Sequence, residues 1–594
     1  MDFNYQNMKV RDILGYNNKQ LCIPRYQRDY SWEKEEIEEF INDILLQISV
    51  SKEGELCTGE YFFGTILLAG SFSDTKKELE VIDGQQRVTT MTIFLSVLAK
   101  CFYEINNVNL GDSIWKYIIK TDDEGDSYKA LNNDTTDNYF AYLIQMKEEE
   151  KDECELKDEE KLVDEEQERI KNVYDYFTNI LKEDQLRQKM KKIMEESNLD
   201  QIKYVDILKA IRTQLLDSTI ICLVTKDNQS VNSIFEILNG KGKQLDSIDL
   251  IKNNIFSKVN KISPRDNANE IWKKIKKELV SREKYIEFST FYRHYWISKY
   301  KKVKDDQLYK EFTKTIREEN YISFLKDLYR SSKQYMKIIN PNDNDYNNRK
   351  EYKYIVEYLK YLNEYFNIKQ IRVLLLALFE AKFDKKILSN KKLKEILIYL
   401  HGFHFAYNAL CTKRSNAFES KYSKFAIKLN NAKNKSDANI IIDELRSELD
   451  KLFPNYNEFE KAFIKLEFSK EKNKSNMLSK YVLNNLEKDY SGSDIEPING
   501  SVEHILGESK DKNTLNIGNL ILLEMNLNRK AEDKKFLEKL PIYKESLYSC
   551  VKAFLDKYSN TEKFDEKIIN ERAKDMAKLY YESVLKREVQ DSID

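Results

Sequence analysis

The amino-acid sequence predicts a multi-domain α+β protein that is predominantly helical. The chain has 594 residues, which is more than one hydrophobic core usually supports. Only 15 glycines and 6 prolines accompany 38 tyrosines and 29 phenylalanines, and this shortage of turn-forming residues favours long helices. Segments typical of strands occur towards the two ends, whereas residues 263–455 carry apolar side chains at helical spacing. We therefore expect three domains, at residues 1–260, 261–450 and 451–594.

In the first domain a predicted strand passes directly into a predicted helix. Residues 79–82 are typical of a strand end, and residues 88–102 are apolar at helical spacing. Between them lie Asp83, Gly84, Gln85, Gln86 and Arg87. Free N–H groups at a helix N-terminus attract phosphate, glycine allows close approach, arginine adds a bidentate charge, and aspartate suits Mg²⁺. The segment predicts a nucleotide site, although an ordinary Asp-Gly turn explains it equally well.

Residues 23–32, with the sequence IPRYQRDYSW, form a second polar and aromatic segment. Pro24 disfavours a helix at this point, while Ser31 followed by several glutamates predicts a helix with Ser31 as its N-cap. The polar residues that we expect to support the nucleotide are Arg25, Gln27 and Arg28.

Two charged segments lie further along the chain. Residues 147–170 contain thirteen acidic and five basic residues, which predicts a solvated insert or, alternatively, an acidic mimic that occupies a DNA-binding groove. Residues 411–436 are strongly basic, which predicts either DNA phosphate contacts or a solvated lysine surface. The candidate DNA-binding residues are Lys413, Arg414, Lys421, Lys424 and, nearer the C terminus, Lys534.

The last domain holds a candidate catalytic histidine. His504 is one of only 4 histidines in the chain and follows Glu503 at an expected strand end. An apolar segment, residues 517–523, and then Asn528 come next. In a metal-dependent nuclease a histidine takes the proton from the attacking water while oxygen or nitrogen ligands hold a cation. Glu503, His504 and Asn528 suit these roles, and a surface histidine before an ordinary apolar strand is the alternative.

The remaining histidines and the cysteines narrow the choice of metal. His401 and His404 lie one helical turn apart, but their apolar surroundings favour packed histidines over a metal pair. The 7 cysteines are scattered without any CxxC pair, which argues against a zinc knuckle and leaves Mg²⁺ or Mn²⁺ as the expected ion. Unpaired cysteines and the lack of a signal peptide or long apolar run predict a cytoplasmic protein that does not enter a membrane.

Three N-terminal motifs together resemble one known family. They are IPRYQRDYSW, VIDGQQRVTTM and, at residues 235–256, FEILNGKGKQLDSIDLIKNNIF. In this order they resemble the nucleotide-binding N-terminal domain of GmrSD-type, modification-dependent restriction systems. That domain is similar to the ParB/sulfiredoxin fold. The resemblance covers about the first 260 residues and implies binding of a nucleoside triphosphate, with hydrolysis as a further expectation.

The C-terminal motifs EHILG, NIGNLILLEMNLNRK and DKKFLEK resemble the HNH-type, ββα-metal nuclease domain of GmrSD-like proteins and of SspE-like phage-defence nickases. The resemblance implies that His504 is the general base, that Glu503 is a metal ligand, and that Asn528 is a metal ligand or orients the phosphate. It also implies that Asn519 braces the loop. Lys534, Lys539 and Tyr543 complete the signature. The family usually has proline at the position of Gly507, so we expect a less rigid loop here.

The resemblance implies a nucleotide-regulated DNA endonuclease or nickase of bacterial anti-phage defence that acts on modified DNA with Mg²⁺ or Mn²⁺. Two alternatives stay open. One is an SspE-like NTPase and nickase that senses phosphorothioate DNA, and the other is a nucleotide-dependent DNA sensor whose nuclease site has decayed. The expected partners are DNA and a nucleotide, and a homodimer is one open oligomeric state.

Overall fold

The computed structural model describes residues 4–73, 77–134, 139–151, 165–194, 198–225, 247–259, 267–414, 418–469, 471, 475–493, 500–508 and 512–589. The chain divides into two compact units. The first comprises Met1–Lys277 with Asp305–Lys326, and the second comprises Glu278–Lys304 with Asp327–Asp594. Helices predominate and the sheets are small, which confirms the α+β prediction. The boundaries of the three expected domains stay a prediction.

The strands and helices of the N-terminal half are, in chain order, β1 (Asn4–Lys9), α1 (Val10–Leu14), β2 (Gln20–Ile23), α2 (Lys34–Leu46), β3 (Ile48–Val50), β4 (Leu56–Thr58), β5 (Phe62–Ala69), β6 (Glu78–Asp83), α3 (Gln85–Glu104), α4 (Val108–Trp115), β7 (Ile119–Thr121), β8 (Ser127–Lys129), β9 (Leu131–Asn133), α5 (Tyr139–Ile144), α6 (Glu148–Lys151), α7 (Glu165–Ile180), α8 (Glu183–Met194), α9 (Tyr204–Asp217), β10 (Thr219–Thr225), α10 (Ser247–Lys258) and α11 (Asn267–Leu279).

The later elements are α12 (Phe288–Lys299), α13 (Leu308–Thr315), α14 (Tyr321–Ile339), α15 (Lys353–Lys360), α16 (Arg372–Phe379), α17 (Asn390–His404), α18 (Phe418–Asn431), α19 (Lys435–Asp450), α20 (Tyr456–Phe463), α21 (Ser475–Ser491), β11 (Gly500–His504), β12 (Leu520–Glu524), α22 (Met525–Ala531), α23 (Phe536–Tyr543), α24 (Ser549–Tyr558) and α25 (Glu566–Leu579). The described residues between 267 and 450 contain no strand, as the helical spacing predicts. None of the described helices combines the length and apolar character that crossing a bilayer requires.

A six-stranded mixed sheet organises the first unit, in the order β1-β10-β5-β6-β2-β9. The central strands β5 and β6 are antiparallel, while β10 pairs parallel to β5 and β2 pairs parallel to β6. Helix α3 follows β6 and is buried along almost its whole length, including all of Val88–Ala99. The sheet and α3 thus place the end of β6 and the start of α3 at the centre of the unit.

The predicted junction between strand and helix is confirmed, and Gly84 explains its shape. Gly84 separates β6 from α3 and has a φ of 91°, in the left-handed region that favours glycine. A Cβ atom at this position would lie 2.9 Å from Cγ1 of Ile66 on β5. The chain therefore turns from the sheet into the helix through a position that has no room for a side chain.

The predicted N-cap of α2 is wrong. The helix begins at Lys34 with Glu33 as its N-cap, two residues after Ser31. The backbone N–H of Ser31 instead donates to Oε1 of Gln86 at 2.8 Å, which keeps this part of the chain extended. A tertiary hydrogen bond has overridden the local capping signal. Of the acidic insert, the first residues lie in α6 and the last in α7, and residues 152–164 lie outside the described residues.

In the second unit, β11 and β12 form an antiparallel hairpin that leads directly into α22. His504 pairs with Leu520 and Glu503 pairs with Ile521 across the hairpin. The expected strand at residues 517–523 begins later, because Ile517–Asn519 forms a short 3₁₀ turn before β12. The order strand, strand, helix agrees with the ββα arrangement that the C-terminal motifs imply.

Replacement of Gly84 tests this account of the junction. Gly84→Ala should lower the stability of the protein because it combines an unfavourable left-handed φ, which costs about 1–2 kcal/mol, with the contact to Ile66. Gly54→Ala is the matched control, since Gly54 has a φ of 83° but no atom within 4 Å of an added Cβ. Urea unfolding should show a larger loss for Gly84→Ala, and equal losses would contradict the crowding.

Candidate functional site

The first two N-terminal motifs meet at the start of α3. The side-chain amide of Gln85 donates to the carbonyl oxygen of Arg28 at 3.2 Å, and that of Gln86 donates to the carbonyl oxygen of Asp29 at 3.2 Å. Gln86 also accepts the hydrogen bond from Ser31. The two glutamines therefore attach the extended segment 23–32 to the helix N-terminus. Residues far apart in sequence form one site here.

Gln27 and Gln85 each keep a buried amide oxygen without a hydrogen-bond partner in the structure. Nε2 of Gln27 donates to the carbonyl oxygens of Val81 and Ile82 at 3.4 and 3.0 Å. Because carbonyl oxygens only accept, the nitrogen of each amide must face them, and this fixes the direction of Oε1. A buried unsatisfied acceptor costs about 1–3 kcal/mol. Two of them beside a helix N-terminus are typical of a site that receives donors from a ligand.

The charged residues predicted for this site have different surroundings. Nη1 of Arg87 donates to the carbonyl oxygen of Thr65 at 2.6 Å, and Arg87 lies against Gly64 of β5. Arg25 stacks on the ring of Phe256 at 5.5 Å and donates to the carbonyl oxygen of that residue at 3.3 Å.

Asp83, the last residue of β6, and Arg28 are both half-buried. Neither forms a side-chain hydrogen bond or ion pair with the described part of the chain.

Lys252 is a central residue that the sequence analysis did not single out. It lies on α10, and its ammonium donates to the carbonyl oxygen of Gln27 and to Oδ1 of Asp29, both at 2.9 Å. Lys276 pairs with the other carboxylate oxygen of Asp29. Residues 226–246, which hold the first part of the third motif, lie outside the described residues. The described part of that motif, on α10, nevertheless lies at the site formed by the first two motifs. The sequence LIKNN, which contains Lys252, was the signal from which this lysine could have been predicted.

A buried carboxyl group, Glu166 of α7, completes this charged cluster. Its Oε1 accepts the backbone N–H of Tyr30 at 2.8 Å. Burial, reinforced by the nearby negative charge of Asp29, raises the pKa of Glu166 to about 7. Burial also acts to raise the pKa of Asp29, but Lys252 and Lys276 outweigh it and hold that pKa below its ordinary value. The two acids therefore differ in charge near neutral pH.

The catalytic candidates of the second unit lie on the β11–β12 hairpin. Nε2 of His504 lies 2.9 Å from the carbonyl oxygen of Phe468. A carbonyl oxygen only accepts, so Nε2 carries the proton and the neutral ring has its lone pair on Nδ1. Nδ1 makes no hydrogen bond within the described chain. His504 is therefore held in the tautomer that a base needs, with Nδ1 as the basic atom.

The side chain of Glu503 is buried at the end of β11, next to His504 in the sequence. Its Oε1 accepts hydrogen bonds from Nζ of Lys539 at 2.7 Å and from the hydroxyl of Tyr543 at 3.1 Å. Lys539 is completely buried and also donates to the carbonyl oxygen of His504 at 2.6 Å. Burial and the neighbouring Glu503 raise the pKa of Tyr543. Two residues of the C-terminal signature, Lys539 and Tyr543 on α23, thus hold the end of β11.

Asn519 binds the loop that follows His504. Its side-chain amide donates to the carbonyl oxygens of Leu506 and Thr514 at 2.9 and 2.7 Å, and its Oδ1 accepts the backbone N–H of Leu506 at 2.9 Å. This arrangement agrees with the expected bracing role. Gly507 lies next in the loop with no atom within 4 Å of an added Cβ, so crowding does not require glycine there.

Asn528 of α22 faces β11. Its Nδ2 donates to Oγ of Ser501 at 2.9 Å and to the carbonyl oxygen of Val502 at 3.0 Å. The carbonyl again fixes the amide orientation and leaves Oδ1 without a partner among the described residues. Oε2 of Glu503 likewise forms no hydrogen bond with the described residues.

These two oxygen atoms fit a hard cation such as Mg²⁺, which usually takes one or two carboxylates together with water and phosphate oxygens. Within the described ranges, no group of three or more histidine, cysteine, aspartate or glutamate residues forms a complete metal cage. Any ion at Glu503 and Asn528 would therefore depend on water and substrate for its remaining ligands. The buried ammonium of Lys539 already neutralises one oxygen of the carboxylate.

The predicted DNA-binding residues differ in how they are paired. Lys413 forms an ion pair with Glu458 at 2.8 Å and Lys421 forms one with Glu448 at 3.0 Å. Nζ of Lys534 donates to a backbone carbonyl at 2.7 Å. In the described part of the chain Arg414 and Lys424 have no carboxylate partner. The acidic partners reduce the positive charge that the sequence of this segment suggests.

His401 and His404 pack in the interior, as their surroundings predict. Nδ1 and Nε2 of His404 lie 2.6 Å from Oδ1 of Asn408 and from the hydroxyl of Tyr422, respectively. Nδ1 of His401 lies 2.6 Å from the carbonyl oxygen of Ile398. Burial lowers the pKa of each histidine to about 4. Both nitrogens of His404 are engaged, so the two residues do not form a metal pair.

Removal of the buried ammonium should destabilise the second unit. Lys539→Met leaves Glu503 as a buried carboxylate without its cation, a change that typically costs about 3–5 kcal/mol. Lys530→Met is the matched control, because Lys530 pairs with Glu545 at an exposed position and should cost about 1 kcal/mol or less. Urea unfolding measures both variants. The double variant Lys539→Met, Glu503→Gln should recover most of the loss, and wild-type stability of Lys539→Met alone would contradict the ion pair.

Glu166 should make stability depend on pH. Its pKa is raised from 4.5 to about 7 in the folded protein, so the unfolded chain releases this proton first as pH rises. The contribution of Glu166 to stability therefore falls from about pH 4.5 to about pH 7 and is constant above that. Glu166→Gln removes this titration, so its stability relative to wild type should increase between pH 5 and pH 8. Parallel pH profiles in thermal unfolding would contradict the shifted pKa.

Comparison with known proteins finds two family models that match this chain. The family model "GmrSD restriction endonuclease, N-terminal domain" matches residues 10–256, which contain the β6–α3 junction. The model "GmrSD restriction endonucleases, C-terminal domain" matches residues 453–579, which contain the β11–β12 hairpin. No individual curated protein matches the chain. The two matches together cover more than half of the chain, and it belongs to the GmrSD family of restriction endonucleases, enzymes of phage defence that act on DNA.

Proposed function

We propose that this restriction endonuclease cleaves modified DNA by an HNH-type mechanism that depends on Mg²⁺ or Mn²⁺ and is regulated by a nucleoside triphosphate. The observation that carries the catalytic part is the state of His504. Its Nε2 donates to the carbonyl oxygen of Phe468, which leaves Nδ1 as the basic atom of the neutral ring. A histidine in this tautomer is ready to act as a general base.

In the proposed reaction Nδ1 of His504 accepts a proton from water, and the oxygen of that water attacks the scissile phosphorus. A new P–O bond forms while the bond to the leaving oxygen breaks, and the leaving oxygen takes a proton from solvent. Lys539 and Asn519 keep His504 in place through its carbonyl oxygen and through the following loop. A cation held by Glu503 and Asn528 would neutralise charge on the phosphate.

The proposed nucleotide site is the N-terminus of α3. The first N–H groups of this helix, together with Arg87 and Arg28, suit the phosphates. The fixed amide oxygens of Gln27 and Gln85 suit the N–H donors of a base or the water ligands of Mg²⁺. Asp83 is the carboxylate nearest in sequence and would serve Mg²⁺. Hydrolysis of the bound nucleotide and recognition of the DNA mark belong to the same proposal, and the family supports them.

Loss of the base should abolish cleavage. His504→Ala should reduce the cutting rate about a hundredfold to ten-thousandfold, because general-base catalysis typically contributes that much. His294→Asn is a control, since His294 is a buried histidine that contacts Tyr335 in the helical region. Cleavage of a modified plasmid with Mg²⁺ measures both variants, with circular dichroism to verify folding. Undiminished cutting by His504→Ala would exclude His504 as the base.

Changes at the β6–α3 junction should weaken nucleotide binding. Arg87→Ala or Asp83→Ala removes a charged ligand whose interaction is worth about 1.5–3 kcal/mol, so Kd should rise about tenfold or more. Arg11→Ala is the matched control, because Arg11 forms a partly exposed ion pair with Asp217 in the same unit. Calorimetry with several nucleoside triphosphates measures Kd, and wild-type affinity in both variants would exclude this site.

The same Asp83→Ala protein tests regulation. If nucleotide gates the nuclease, it must bind two conformations with different affinity, and a coupling of about 1–3 kcal/mol would change the cutting rate roughly 5- to 150-fold. Asp83→Ala should cut at one rate with or without nucleotide while His504 stays functional. A wild-type protein whose rate is the same with and without nucleotide would contradict the gating.

A further inference from the structure

A small cavity of about 100 Å³ lies beside β12 in the second unit. Its walls come from α21, β12, α24 and α25. Its apolar lining includes Leu483, Leu486, Ile521 and Met576. Arg572 of α25 also lines the cavity and brings a guanidinium group to it. Neither the GmrSD matches nor the proposed reaction assigns a role to it.

Arg572 is buried, with 9% of its surface exposed. Nη1 donates to the carbonyl oxygens of Gly518 and Leu520 at 2.6 and 2.8 Å. Nε and Nη2 donate to no residue that the structure describes, and no carboxylate of the described chain pairs with the guanidinium. The guanidinium also lies over the ring of Phe554, with Cζ 5.3 Å from the ring centroid. Burial lowers the pKa of Arg572.

A buried guanidinium without a carboxylate is costly, because a charge in a low-dielectric environment needs a partner. The unused N–H groups of Arg572 form the planar fork that carboxylates match. Together with the cavity, this is a reason to expect an anion. We propose that the cavity is a binding site for a small organic carboxylate, with its oxygens on Arg572 and its apolar body against Leu483, Leu486, Ile521 and Met576.

Size and charge define the ligand class. A cavity of about 150 Å³ holds benzene, so one of about 100 Å³ suits a branched short-chain acid and excludes a nucleotide. The other charged groups of the lining are Lys557 and Asp575, which pair with each other at 2.6 Å and are both largely exposed. This pair is neutral overall, so Arg572 supplies one net positive charge. A monoanion matches that charge better than inorganic phosphate, and the apolar walls favour a carbon chain.

The site would communicate with the nuclease loop through the backbone. The two carbonyl groups that Arg572 holds belong to the residues on either side of Asn519, and Asn519 binds both backbone groups of Leu506. A carboxylate bound to the same guanidinium would change the strength of the hydrogen bonds by which Arg572 holds the backbone on either side of Asn519. That consequence rests on the proposed function, whereas the binding itself does not.

The direct test is thermal unfolding and calorimetry of the full-length protein with isobutyrate, compared with chloride and inorganic phosphate at equal ionic strength. Saturating isobutyrate should raise the unfolding midpoint by about 2–4 °C, because a ligand that binds only the folded state stabilises it. Phosphate and chloride should have smaller effects. Absence of any isobutyrate effect in both methods would overturn the proposal, whatever the protein does to DNA.

Two variants locate the effect. Ala553→Leu fills the cavity but leaves the hydrogen bonds of Arg572 in place, so it should fold and lose the response to isobutyrate. Arg572→Lys removes the planar fork of N–H donors and should also lose the response to isobutyrate. Lys567→Ala, which removes an exposed cation from the same helix, is the control and should respond as wild type does. An unchanged response in Ala553→Leu would show that isobutyrate binds elsewhere and would overturn the proposed site.

Discussion

The proposed nuclease site depends most on the ammonium group of Lys539. It is completely buried, it neutralises Glu503, and it holds the carbonyl oxygen of His504. Breaking a buried ion pair by removing one partner is strongly destabilising. The helix α23 is therefore fixed to the end of β11, and the backbone of His504 has little freedom. With Asn519 binding the following loop, the imidazole is positioned by contacts that do not involve its own basic nitrogen.

The proposed nucleotide site of the first unit is built in a related way, because backbone carbonyl groups fix the orientation of its side-chain amides. Gln27 and Gln85 donate their amide hydrogens to such carbonyls, and each keeps a buried oxygen without a partner among the described residues. Lys252 then ties the loop of Gln27 and Asp29 to α10. These contacts orient the acceptors before any ligand arrives, which reduces the cost of ordering on binding. In each unit the fold therefore fixes the position of a polar atom that has no partner among the described residues. These atoms are the amide oxygens of Gln27 and Gln85 in the first unit and Nδ1 of His504 in the second.

Local sequence patterns predicted part of this arrangement, and their limits have a physical cause. The strand-to-helix junction at Gly84 was predictable because neighbouring residues determine it. The ion pair of Lys539 with Glu503 and the bond from Lys252 to Gln27 span 36 and 225 residues, and no local pattern contains them. For the same reason the N-cap at Ser31 was wrong, since Gln86 holds that backbone. Lys413 and Lys421, which we predicted to contact DNA, form ion pairs with acidic residues of other helices, and no local pattern shows these pairs.

The most direct test of this account is the tautomer of His504. With only 4 histidines in the chain, selective ¹⁵N labelling of histidine gives few resonances, and His504→Ala assigns the one in question. At a pH where His504 is neutral, long-range ¹H–¹⁵N correlation distinguishes a protonated from an unprotonated ring nitrogen. We expect a protonated Nε2 and an unprotonated Nδ1, since Phe468 accepts the hydrogen bond. A protonated Nδ1 would contradict the proposed base and the hydrogen bond that positions it.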